Sequence, residues 1–309
     1  MDVILGENER IDDLQLNGLK IIQNTNWFCF GIDSVLLSDF AKNIKNNSRI
    51  VDLGTGTGII ALLMSAKTNS KEIVGVEIQK EVANMAKRSV ALNNLENKIK
   101  IINEDLKKID TILETGEYDV IVTNPPYMKL NSGLQNENNE KLISRHEVEC
   151  NLEDIARISY KLLKNNGEIY MVHRPDRLVD IMEIFRKYKL EIKEMRFVFS
   201  NKDSQANLIL LKAVKNGKSF LKIHKPLYVY KENNNLSLNI KINNEKNIPI
   251  INEKIILWCI LLFTIFKLLL PLNLLISGKS DVAIAPIKKL GIVKSASEYA
   301  LYAPYSLKI

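Results

Sequence analysis

The chain has 309 residues, of which 46% are hydrophobic and 26% charged. That balance excludes a disordered chain, and the length allows one large α/β domain with an appendage or two modest domains. Three cysteines, Cys29, Cys150 and Cys259, show no paired spacing, which excludes a disulfide framework or a zinc cluster and fits a reducing cytosol. No self-similar period marks a repeat array. The opening MDVILGENERIDDLQ places acids where a secretory signal needs basic and apolar runs, so a cytoplasmic location is expected.

The net charge of +7 is unevenly spread, and five of those charges fall in residues 236–309. A local excess remains: Arg174 to Lys225 holds 13 basic against 6 acidic residues. Such clustering could neutralise phosphates, or could be a solvated helix face, because Asp180, Glu183 and Glu191 are interleaved with it.

In chain order, residues 1–48 read as a segment capping the domain that follows. From Arg49 short β-branched runs alternate with helical ones. Ile50–Val51 enters a glycine-rich turn, and Ile59 to Ala66 is apolar enough for a packed helix. Ile73 to Val76 predicts a second strand ending at Glu77, and Val82, Met85, Ala86 and Val90 recur at helical spacing. Ile99 to Ile102 predicts a third strand before Asp105, and YDVIVT, Tyr118 to Thr123, a fourth that Pro125–Pro126 stops. Asn151 is placed to cap a helix through Leu163, closed by Asn165–Asn166–Gly167 before EIYMVH, a fifth strand. A further helix follows Pro175, and MRFVFS and ANLILLKAV read as two more strands joined by a polar turn. Strand and helix in steady alternation predict an α/β fold with a doubly wound sheet. Its ligands should sit at the carboxyl ends of the strands.

Residues 231–254 read as a polar linker, and 255–309 as an atypical tail. Ile255 to Ile276 is a 22-residue apolar run, long enough to cross a bilayer. Lys267 and Asn273 count against insertion, and a buried or accessory helix is the expected reading. A membrane anchor and a tail from an altered reading frame are the alternatives.

The segment Asp52-Leu53-Gly54-Thr55-Gly56-Thr57-Gly58 sits between the first strand and its helix. Gly54 and Gly56 let backbone bend tightly and approach a ligand, while amides at the helix start face an anion. A dinucleotide fingerprint wants a glycine where Ile59 stands. The DxGxGxG spacing instead resembles the S-adenosyl-L-methionine loop of class I methyltransferases, with Asp52, Gly54, Thr55, Gly56 and Gly58 as its cofactor-binding residues. Glu77, 19 residues after Gly58, can accept both ribose hydroxyl protons at a strand end. By resemblance to the class, Asp105 holds the adenine amino group.

Asn124-Pro125-Pro126-Tyr127 follows the fourth strand. An amino nitrogen conjugated to adenine is a poor nucleophile because its lone pair is delocalised into the ring. Acceptors on both N–H bonds, the Asn124 side-chain oxygen and the Pro125 carbonyl, would rehybridise it and aim it at a sulfonium methyl without a prior general base. Two prolines preorganise those acceptors, and Tyr127 offers a ring to stack on an extruded base.

With FCFGIDSVLLSDFA (Phe28 to Ala41), SRHE (Ser144 to Glu147) and GEIYMVHRPDRLVDI (Gly167 to Ile181) added, the chain resembles the bacterial adenine-N6 methyltransferases that modify adenine 37 of valine tRNA. The resemblance covers about Asp12 to Tyr230. It implies a seven-stranded Rossmann-like methyltransferase sheet, mostly parallel with one antiparallel edge hairpin strand. It also implies a tRNA partner, no metal, and cofactor contact by Asp33 at the methionine end and by Asn124. Ile32 stands where the family usually has Thr. A monomer is expected. Arg145, Arg174 and Arg177 are candidate tRNA contacts, and residues 129–141 a polar lid that orders on RNA. His146, His173 and His224 are not spaced for a metal site.

Three other readings stay open. A protein glutamine methyltransferase would carry a helical substrate domain before the glycine turn, yet only 51 residues precede Asp52. A DNA adenine methyltransferase would need a target-recognition domain between Tyr127 and Tyr230. A non-catalytic RNA-binding protein would not need Asn124.

Overall fold

The structure is a computed structural model, and it describes residues 4–27, 29–126 and 151–230. The expected linker and apolar tail, the lid at 129–141, Tyr127 and Arg145 lie outside these residues. Among the described residues no helix is long and apolar enough to cross a membrane.

Near-continuous β-branched runs make strands that are buried on both faces, the signature of a parallel sheet. β3 (Arg49–Leu53), β4 (Glu72–Glu77), β5 (Ile99–Asn103), β6 (Tyr118–Thr123) and β7 (Leu163–His173) pair in parallel in the order β5-β4-β3-β6-β7. The sheet then continues through β9 (Ala206–Lys215) to β8 (Leu190–Phe199). β9 runs antiparallel to both neighbours, so the hairpin inserts its returning strand between β7 and β8 and leaves β8 outermost. Those seven strands match the expectation. Two-residue strands β10 (Lys222–Ile223) and β11 (Leu227–Tyr228) pair in parallel with the outer edge of β8, bringing the sheet to nine strands.

Alternation along each strand sends successive side chains to opposite faces. On one face Ile50, Ile73 and Val120 join α1 (Ile32–Phe40), α2 (Ile59–Lys67) and α3 (Lys80–Leu92). On the other, Val51, Val74 and Ile121 meet α4 (Leu152–Leu162) and α5 (Leu178–Lys187). The helix α2 buries six residues in succession, Ile59 to Met64, each worth roughly 1.5–3 kcal/mol for the large aliphatic ones. Asn151 caps α4 in a reciprocal capping box with Asp154. The helix gives way to β7 directly at Leu163, and Asn165–Asn166–Gly167 falls within that strand.

The first 48 residues hold a hairpin that the sequence did not announce. β1 (Glu9–Asp13) and β2 (Lys20–Asn24) pair antiparallel as a separate sheet. The hairpin docks on α3: Ser89 Oγ accepts the Ile22 amide at 3.0 Å, and Asn93 Oδ1 accepts the Lys20 amide at 2.8 Å. α1 starts at the carboxyl end of the sheet, where its first-turn residues Asp33 and Ser34 meet Asn124.

Candidate active site

The turn after β3 is built around three left-handed backbone positions, Gly54 (φ 73°), Gly56 (φ 56°) and Gly58 (φ 88°), which glycine adopts at no steric cost. A Cβ at Gly54 or Gly56 would meet nothing within 4 Å, whereas one at Gly58 would stand 3.4 Å from Ala86 Cβ on α3. The first two glycines therefore border open space, and the third allows helix packing. Val76 O accepts the Gly54 and Thr55 amides at 3.0 and 2.9 Å, strapping the turn to β4. Gly75 makes room for this, since a Cβ there would lie 2.9 Å from the Thr55 side chain.

Asp52 and Thr55 lie beneath the turn rather than on its open side. Thr55 Oγ1 donates to Asp52 Oδ2 at 2.6 Å, and both residues are buried. Burial pushes the Asp52 carboxyl up to about 7. Its Oδ1 has no hydrogen-bond partner among the described residues. These two residues, expected at the cofactor, shape the loop from within.

Glu77 stands at the tip of β4. Its Oε2 accepts the Gly56 amide and its Oε1 the Gln79 amide, each at 3.0 Å. Gln79 Nε2 also approaches Oε1 at a long 3.5 Å, while Oε2 keeps capacity for a further donor, so the acid can hold the loop and still receive a ribose hydroxyl. The neighbouring Ile78 is 36% exposed, an apolar side chain at the strand tip. Asn103, at the end of β5, donates from Nδ2 to the Glu77 and Ile78 carbonyls, at 2.9 Å in each case. Asp105 caps the 3-10 turn Leu106–Thr111: its Oδ1 accepts the Lys107 amide at 2.9 Å, and Lys107 Nζ lies 3.6 Å from Oδ2.

Register pairs Leu53 with Thr123, so Asn124 follows at the same end of the sheet as Gly54. Thr123 Oγ1 donates to Leu53 O at 2.9 Å, tying the two strand tips together. Pro125 is buried and Pro126 exposed. Asn124 Nδ2 donates to Asp33 Oδ2 at 3.0 Å and to Ser34 Oγ at 3.2 Å. Asp33, expected at the methionine end of a cofactor, thus reaches Asn124 from the start of α1, and its Oδ1 also accepts the Ser34 amide at 2.9 Å.

The other basic candidates separate. Arg174 is exposed, just before the 3-10 turn Pro175–Arg177. The Arg177 side chain is only 17% exposed and its Nε donates to Asp180 Oδ2 at 2.8 Å, a commitment within the protein. At the end of β7, buried His173 accepts the Arg174 amide at Nδ1, 2.8 Å away, and burial drops its pKa to about 4. Ser34, Gln79 and Asn103 were not anticipated. The only available signals were the polar residue beside Asp33 and the polar ends of β4 and β5.

The sheet order, with a glycine turn after its first strand, an acid after its second and Asn-Pro-Pro after its fourth, is that of the Rossmann-like methyltransferases. A solved structure of the Agrobacterium tumefaciens protein Atu636, described as a predicted O-methyltransferase, superposes with a TM-score of 0.53 at 19% identity, covering 70% of this chain and 92% of that one. The family model for the methyltransferase small domain matches residues 30–200, more than half of the chain, and the chain belongs to that family. Among curated relatives, the tRNA1(Val) (adenine(37)-N6)-methyltransferase of Porphyromonas gingivalis is 29% identical over 165 residues, 52% of this chain and 64% of the relative. The Parabacteroides distasonis protein of the same name is 31% identical over 160 residues, 52% of this chain and 65% of its own. The chain therefore spans slightly less than two thirds of the length of these relatives.

Proposed function

We propose that the chain transfers a methyl group from S-adenosyl-L-methionine to the exocyclic N6 of an adenine in tRNA, namely adenine 37 beside the anticodon of tRNA-Val. One observation carries the reading: the Asn124 amide is held by its nitrogen at the tip of β6, at the carboxyl end of the sheet where the glycine turn opens. With Nδ2 turned to Asp33 and Ser34, the remaining polar atom of the side chain is the acceptor Oδ1, the atom an amino N–H requires. The names of the relatives supply the base and the nucleic acid.

The residues present fit the cofactor. Gly54 and Gly56 leave room for close approach where side chains would intrude, Glu77 offers carboxylate acceptor capacity to the ribose, with Oε2 the less occupied oxygen, and Ile78 an apolar surface for a purine. When bound, the cofactor supplies a methyl group activated by its sulfonium. Asn124 Oδ1 and the Pro125 carbonyl accept the two N6 hydrogens, holding the nitrogen lone pair toward the crevice. The nitrogen loses one proton to water after the transfer, so no side chain must remove it beforehand. By resemblance to the class, Asp105 would hold the cofactor's adenine amino group with the carboxylate that also caps its 3-10 turn. A tRNA substrate fits a cytoplasmic location.

Full-length protein with labelled cofactor and total tRNA, followed by nucleoside analysis, tests this. Label is expected as N6-methyladenosine in valine tRNA, and Asn124→Ala should lower turnover on the order of 10²–10³-fold, the scale for removing one preorganised polar group. Label in protein glutamine or in DNA would overturn the substrate assignment.

A further inference from the structure

We propose that Asp33 and Ser34 are positioning residues for Asn124, fixing which end of its amide faces the substrate, and are not ligands of the cofactor's methionine end. The proposal rests on the reaction above and adds two residues to it. Asp33 is 8% exposed and Ser34 3%, so both act from within the protein. One carboxylate spans two elements: Oδ1 takes the Ser34 amide at 2.9 Å in the first turn of α1, while Oδ2 takes Asn124 Nδ2 at 3.0 Å. The Ser34 hydroxyl oxygen is the second acceptor for Nδ2 at 3.2 Å. An amide rotated by 180° would set its oxygen against the Asp33 carboxylate, acceptor on acceptor, which is repulsive. The pair therefore selects one orientation of Asn124 before any substrate arrives, a form of preorganisation. Gly31 supports the arrangement by its lack of a side chain, since a Cβ there would stand 2.8 Å from Asp33 Oδ1.

The test separates positioning from cofactor contact. Cofactor affinity by calorimetry and single-turnover rate on tRNA at saturating cofactor are measured for wild type, Asp33→Ala, Asp33→Asn, Ser34→Ala and Gly31→Ala. Asp33→Ala should lose tenfold or more in rate with affinity changed less than threefold. Asp33→Asn should recover part of that loss, because its side-chain oxygen can accept Nδ2. Gly31→Ala keeps both acceptors but displaces the carboxylate, so it should share the loss and carries the test if Asp33→Ala fails to fold. In parallel, the Asn124 side-chain amide protons should exchange slowly in wild type and faster in each of the weakened variants. A tenfold loss of cofactor affinity at unchanged saturated rate, or an Asp33→Ala protein with wild-type rate, would overturn the proposal. Wild-type protein that methylates no RNA would instead sink the reaction itself, while the exchange of the Asn124 amide would still decide whether the anchor exists.

Discussion

Glu77 accepts the Gly56 amide at 3.0 Å across 21 residues of chain, so the acid at the tip of β4 and the glycine turn after β3 form one unit. Its second oxygen takes the Gln79 amide and sets the start of α3. Glu77→Ala removes a loop anchor and the acceptors for ribose together. Glu77→Gln keeps one acceptor oxygen. Cofactor affinity by calorimetry should fall more than tenfold in the Ala variant, about 1.4 kcal/mol or more, and by less in the Gln variant. Equal affinity in wild type and Glu77→Ala would remove this residue from the cofactor site.

Asp52 gives the fold a pH dependence of unusual sign for a carboxylate. Its folded value of about 7 lies above its ordinary 3.8 because burial disfavours the charged form. The folded state then binds the proton more tightly than the unfolded one. The stability linked to this group is therefore fully present below about pH 4 and is lost as pH rises through about 7. Asp52→Asn keeps an oxygen to accept the Thr55 hydroxyl and cannot ionise. Thermal melts from pH 5 to 8 should show a flatter profile for the variant, its advantage over wild type growing up to about pH 7 and levelling above it. Parallel profiles would mean that the carboxyl is not protonated in the folded protein.

The opposite sign belongs to the hairpin. Arg88 on α3 donates to both oxygens of Glu9, from its two terminal nitrogens at 2.7 and 2.5 Å, and this bond holds the Glu9 carboxyl below its ordinary range. A depressed value contributes stability that is present above the ordinary 4.5 and lost as pH falls through the lower folded value. Glu9→Gln should destabilise on the order of 1 kcal/mol at pH 7, a figure discounted for the solvent around a one-third-exposed Arg88. The gap from wild type should close as the pH is taken below 4 in denaturant melts. A gap constant with pH would assign the effect to packing.

Which parts were legible follows from what each part needs. Strands β3, β4 and β6 are buried on both sides, so their β-branched runs stood out, the edge strand β5 kept enough of such a run to be read, and the Gly54–Gly58 spacing records a local demand of the turn. The β1–β2 hairpin was missed because ERIDD is polar and largely exposed, and its buried residues, Ile21, Ile22 and Gln23, lie side by side in β2 without a clear alternation. MRFVFS captured only the second half of β8, whose first half, LEIKE, mixes charged residues with two buried ones, Leu190 and Ile192. At the site, Asn124 could be read from its prolines, but its anchor lies 91 residues away at Asp33. No local pattern encodes a contact at that separation. Asp52 matched a motif position, yet only the structure shows its carboxylate turned inward to Thr55.

Arg174 and Arg177 carry equal charge on a short stretch of chain and should behave differently toward tRNA. Arg174 is exposed, and its backbone is held by His173, so its side chain can reach a phosphate without breaking a bond within the turn. Arg177 would have to surrender its bond to Asp180 and leave a site where it is 17% exposed. For Arg174→Ala, tRNA affinity should drop and the slope of log affinity against log salt should decrease by about one, the release expected for one phosphate contact. For Arg177→Ala the slope should stay as in wild type while the melting temperature falls, because what is lost is an ion pair at the start of α5. Anisotropy titrations of labelled tRNA between 50 and 200 mM salt, about the range over which such contacts weaken, distinguish the two. A reduced slope in both variants would return Arg177 to the RNA interface and show that the Asp180 pairing yields when RNA binds.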